Sequence, residues 1–132
     1  MHQHFHQFAL VVKDYDEAIQ FYTEKLDFTL EEDSQLSETK RWVRVRPPGS
    51  NGCGILLAKA ANEEQLKCVG NQTGGRVFLF LYTDDFDRDY QNLIDNHVRI
   101  IREPSFHDYG KVCVFADLYG NLIDLIEPAE TK

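Results

Sequence analysis

The sequence predicts an α+β fold of two βαβββ modules in tandem, with a mixed sheet and the helices on one face. Three observations predict it. The order strand, helix, strand, strand, strand reads twice along the chain. The segment "VVKDYDEAIQFYTEKLDF" lies over "LYTDDFDRDYQNLIDNHV" at an offset of 70, with Asp14 on Asp84. "GILLAKA" lies over "LIDLIEP" at an offset of 68, with Leu56 on Asp124. Repetition at one period marks a duplicated supersecondary unit. Each module also opens on a run that is apolar on both faces, as a covered strand must be.

Residues 5–12, "FHQFALVV", are the first such strand. Asp14 then has the character of a helix N-cap, with Glu17 completing a capping box. Tyr15, Ala18, Ile19, Tyr22 and Leu26 follow at helical spacing and form one apolar stripe. Strands are expected at 28–32, 41–46 and 54–59, with the turn "PPGSNG" at 47–52. Module one spans about 4–60. The polar connector, about 61–75, carries a helical turn around 61–67. Module two, about 76–128, opens on "RVFLFLY" at 76–82. Asp84 or Asp85 caps its helix, and Phe86, Tyr90, Leu93 and Ile94 supply its stripe. Strands are expected near 98–102, 111–116 and 121–127, with "EPSFHDYG" and "LYGN" as turns.

A chain of 132 residues is the length of one domain and is long enough to bury a core. Its net charge of -8 repels phosphate backbones and anionic membranes, so neither nucleic acid nor membrane is an expected partner. Cys53, Cys68 and Cys113 are an odd number without paired spacing, read as buried or spare thiols of a reducing compartment. No leader pattern and no apolar run of spanning length is found, and the expected location is cytoplasmic.

Two stretches, "FALVVKDYDEAIQFYTEKLDFTL" and "KVCVFADLYGNLIDLIEP", resemble the vicinal oxygen chelate superfamily (glyoxalase/bleomycin resistance protein/dioxygenase-like) across roughly residues 4 to 128. Asp27 stands where that family usually has Gly, and Leu118-Tyr119 where it has Asp-Pro. The resemblance implies a curved sheet enclosing a cavity, a homodimer, and one metal ligand on each of four strands. Carried over residue by residue, those positions hold Gln7, Leu56, Arg76 and Asp124. Only Gln7 and Asp124 can donate to a metal, because Leu56 is aliphatic and Arg76 is a permanent cation. No metal or other cofactor is therefore expected, and nickel, zinc, manganese or iron is the alternative. Extradiol dioxygenation is excluded, since no His stands at any of the four positions.

Strand alternation groups Gln7 with Ala9 and Val11, Leu56 with Gly54 and Ala58, Arg76 with Phe78 and Phe80, and Asp124 with Leu122 and Ile126. The expectation is that Arg76 takes the place of the metal and neutralises Asp124, and that these two are the candidate catalytic pair. Gln7, Leu56, Arg76, Phe78 and Asp124 line a small-molecule pocket. Trp42 and Arg44, sharing a face with Arg46, are further candidate ligand contacts. His2, His4 and His6 alternate on the face opposite to Gln7 and are read as adventitious metal binders. The loop "FHDYGK" at 106–111, with His107 and Tyr109, is read as an exposed turn. The function expected is small-molecule binding without the family's metal. The alternative is a metal-dependent lyase or isomerase acting on a small carbonyl or thiol-conjugate substrate.

Overall fold

The structure, a computed structural model, describes residues 1–129. The chain divides into two compact units, Met1–Val69 and Gly70–Lys132, and each holds one four-stranded sheet.

In the first unit, β1 (Gln7–Val12) is followed by α1 (Tyr15–Gln20), which winds on as a π-helical turn over Phe21–Lys25. Then come β2 (Thr29–Gln35), β3 (Arg41–Arg46), β4 (Gly54–Lys59) and the short α2 (Glu63–Leu66). The sheet order is β1-β4-β3-β2, with β1 parallel to β4 and the other pairs antiparallel. The Asp14 carboxylate accepts the Glu17 backbone N–H at 2.9 Å, so the predicted cap is made. One face of the sheet is core: Leu10, Val12, Val43, Val45, Ile55 and Leu57 are buried, as are Tyr15, Ala18 and Tyr22 of the helix. Arg41 ties the helix to the edge strand. It donates to Asp16 at 2.9 Å and, through two nitrogens, to Asp33 at 3.1 and 2.7 Å.

The second unit runs β5 (Val77–Tyr82), α3 (Phe86–Asp95), β6 (Ile100–His107), β7 (Gly110–Ala116) and β8 (Leu122–Pro128). Its order, β5-β8-β7-β6, repeats the first sheet, again with one parallel pair, β5 with β8. Phe86, Leu93, Val98, Cys113, Phe115, Ile123 and Leu125 form its core. Asp85, and not Asp84, caps α3 by accepting from Arg88 N at 3.1 Å, while Glu127 accepts from Phe86 N at 2.8 Å. The "LYGN" turn closes on a buried pair. Asp117 accepts from the backbone and side chain of Asn121, each at 2.9 Å. Gly70, at φ 75°, packs against this turn so closely that a Cβ would lie 2.0 Å from the Tyr119 carbonyl oxygen.

Four expectations are corrected. The first strand begins at Gln7, leaving His2, His4 and His6 ahead of it. "EPSFH" is strand: β6 runs from Ile100 to His107 at the sheet edge, where Pro104 is tolerated and two register shifts break the apolar alternation. Ile94 is exposed, so the stripe of α3 is narrower than its spacing suggests. Arg76 lies just before β5 instead of opening it.

Candidate functional site

Each sheet has a core face and a second face turned away from its helix. Pairing fixes the second face of the first unit. Gln7 pairs with Gly54, Ala9 with Leu56, and Leu56 with Arg44, so these residues share it. Val43 and Val45, on the alternate positions of β3, point into the core. Trp42, Arg44 and Arg46 therefore lie on the face of Gln7 and Leu56, as alternation along β3 required.

Arg44 is 8% exposed. Its guanidinium is held by Glu31 and donates from Nη2 to the His6 carbonyl at 2.9 Å. Glu31, displaced by a bulge between Leu30 and Glu32, also meets Arg46 Nε at 2.7 Å. A Cβ on Gly54 would come within 2.6 Å of the Arg44 guanidinium, so the glycine gives it the room to lie across β4 beside Gln7. The Arg44 Nε and the Gln7 Oε1 are buried without a hydrogen-bond partner. Trp42 is half-buried opposite Ser34. Arg44, so enclosed, is not the open ligand platform that the sequence suggested.

In the second unit the row across the sheet is Phe80, Asp124, Val114, Arg102, each residue the register partner of the next. Leu122 and Ile126 flank Asp124 on this face. Phe80 and Tyr82 are 63% and 66% exposed. Asp124 is half-buried, with Oδ1 buried and unpartnered. Burial pushes its carboxyl above the ordinary carboxylate range, and Arg102 pulls it partly back. On the core side of the same strands, burial pushes the Cys113 thiol up to about 12, which leaves it a packing residue and not a nucleophile.

The expected Arg76–Asp124 pair is not made. Arg76 is exposed, and among the described residues no ion pair includes it. The reason is register. The cap of α3 is Asp85, and seven residues before it stands Phe78, as Gln7 stands seven before Asp14. A bulge between Val77 and Leu79 absorbs the extra residue. The residue corresponding to Gln7 is thus Phe78, itself half-buried, and the cation on the Gln7 and Leu56 face is Arg44.

Of the corresponding positions, Gln7 and Leu56 in the first unit and Phe78 and Asp124 in the second, only one in each unit carries an oxygen donor, whereas catalytic metal sites use about three protein ligands. Among the described residues no group of three or more His, Cys, Asp or Glu side chains could hold a metal ion. His4 and His6 lie edge to face at 6.4 Å, and both are exposed. His107 stacks on Tyr109 at 4.9 Å in the exposed β6–β7 turn and shares a 2.9 Å hydrogen bond with Ser105.

Sequence reasoning missed Glu31 and Arg102. Both stand beside bulges that shift a strand by one residue, and a bulge has no composition signal of its own.

A sequence profile of the Glyoxalase/Bleomycin resistance protein/Dioxygenase superfamily matches residues 4–125. An uncharacterized protein of Shewanella frigidimarina (strain NCIMB 400) is 58% identical over 120 residues, 90% of this chain and 89% of that protein. Among solved structures, UcmS2 matches with a TM-score of 0.84 at 26% identity, covering 96% of this chain and 99% of that one. TnmS3, an antibiotic binding protein from Streptomyces sp. CB03234, matches with a TM-score of 0.77 at 29% identity, covering 96% and 97%.

Proposed function

We propose that this chain, which belongs to the Glyoxalase/Bleomycin resistance protein/Dioxygenase superfamily, binds a small organic molecule and works without a divalent metal. The observation that carries the proposal is the enclosed Arg44 on the face of Gln7 and Leu56. Arg44 and Arg46 share one carboxylate, Glu31, so the cluster keeps a net positive charge that opposes a second cation beside it. Leu56, in the same row, offers no donor to offset the repulsion. The likeness to TnmS3 supports the binding reading, since that protein is an antibiotic binding protein. A metal-dependent lyase or isomerase is disfavoured by the same two residues.

Homodimer formation and a cytoplasmic location belong to this proposal. An acidic chain with free cysteines supports the second, and no helix among the described residues is long and apolar enough to cross a membrane. The test is a thermal-shift screen of dialysed protein against fused-ring aromatic compounds. The result expected is a Tm that rises with concentration of at least one compound and stays unchanged in Phe80→Ala. No shift from any compound, together with turnover of a carbonyl or thiol-conjugate substrate, would overturn the reading.

A further inference from the structure

We infer that the β5 edge of the second unit's second sheet face, where Phe80 and Tyr82 are exposed while Val114 and Ile126 are buried, takes a planar aromatic ligand bearing an N–H or O–H donor, neutral or cationic, and rejects the carboxylate analogue. The inference rests on the binding reading above and adds the ligand's chemical class. Two observations carry it. Phe80 and Tyr82, at i and i+2 of β5, point to one face and are both largely exposed. Exposed aromatic surface of that size is what a flat ring covers.

The second observation is Asp124, the register partner of Phe80. Among the described residues its carboxylate has neither a hydrogen-bond donor nor an ion-pair partner, and Oδ1 is buried. An acceptor that has lost part of its hydration and gained no donor is under-satisfied, and a ligand N–H or O–H directed at its outer oxygen supplies the missing bond. Arg102 does not reverse the sign. It lies two strands from Asp124 along the row, about 10 Å by strand spacing, whereas Asp124 is the immediate neighbour of the aromatic pair. The first unit has an unpartnered acceptor in Gln7 Oε1 but no exposed aromatic pair on β1 beside it. Leu56 occupies the corresponding row, and its one enclosed cation is already held by Glu31.

Three probes with one ring system separate the possibilities: 2-naphthol, 2-naphthylmethylammonium and 2-naphthoate, titrated by calorimetry into the full-length protein. The naphthol and the ammonium are expected to bind at least about tenfold tighter than the carboxylate, the margin of one charge-assisted hydrogen bond. Asp124→Leu, which installs the residue of the corresponding row, should bring the three affinities together while ring binding persists. Asp124→Asn serves the same purpose if the leucine variant does not fold. Phe80→Ala should weaken all three probes. Equal or tighter binding of 2-naphthoate, still lost in Phe80→Ala, overturns the ligand class and leaves the binding reading standing. If none of the probes binds and Phe80→Ala only changes the mass in light scattering, this face is covered by a second copy, and both readings fall.

Discussion

The two units share strand order, an aspartate-capped helix and a core on one side of the sheet, yet their second faces are finished differently. In the first unit, Ala9, Gly54 and Ala58 keep that face low, and the space is filled by the Arg44 guanidinium locked to Glu31 and the His6 carbonyl. In the second, Phe80 and Tyr82 stand out from it, and Asp124 lies beside Phe80 without a hydrogen-bond partner. The same topology has produced a face whose buried cation is held from within, with Gln7 Oε1 and Arg44 Nε left unpartnered, and a face whose unmet carboxylate stands beside exposed aromatics. The difference teaches where to look for recognition. A face whose charges are paired internally contributes to stability, while unsatisfied groups among exposed aromatics are available to a ligand.

The largest expected effect comes from unlocking the closed face. Arg44→Ala should cost about 2–4 kcal/mol in urea denaturation. It removes one partner of a mostly buried ion pair, although Glu31 keeps Arg46 and some access to water. An unchanged midpoint would mean that the cluster is not held as described. Gly54→Ala should cost up to about 1 kcal/mol, because its methyl displaces the end of the Arg44 side chain and loosens its ion pair with Glu31. In an Arg44→Ala background the same change should cost little. Additive losses in that double-mutant cycle would place the guanidinium elsewhere.

The smallest effect is expected on the open face, and it depends on pH. Burial raises the Asp124 pKa in the folded chain, so ionising it costs the native state. That penalty is absent at pH below the ordinary carboxylate range and appears as pH rises through the raised value. Asp124→Asn should therefore be more stable than the parent at pH 7, with the advantage shrinking as the pH is lowered through the carboxylate range. An advantage that grows on acidification would show that Asp124 has a favourable partner in the folded state.

Much of the fold was legible in the sequence because it is written in alternation and punctuation. Strands β3 and β4 fall on the residues that alternation marks, and the Asp14 cap is made as its spacing implies. What escaped lies at bulges and at doubled acids. Asp84 and Asp85 are equally good caps by chemistry, and seven residues before them stand Val77 and Phe78, so neither choice puts Arg76 in the place of Gln7. The polar, proline-containing end of β6 carries no apolar pattern, so only its pairing with β7 reveals it as strand. That Arg44 shares a face with Gln7 could not be read before the order β1-β4-β3 was known.

The most direct test of the central claim is the metal content of untagged, as-purified protein, measured by mass spectrometry beside a His2→Ala/His4→Ala/His6→Ala control that keeps the His6 carbonyl Arg44 needs. Far less than one nickel, zinc, manganese or iron per chain is predicted for the control. One equivalent of metal surviving in it would contradict the account and restore the metal-dependent reading.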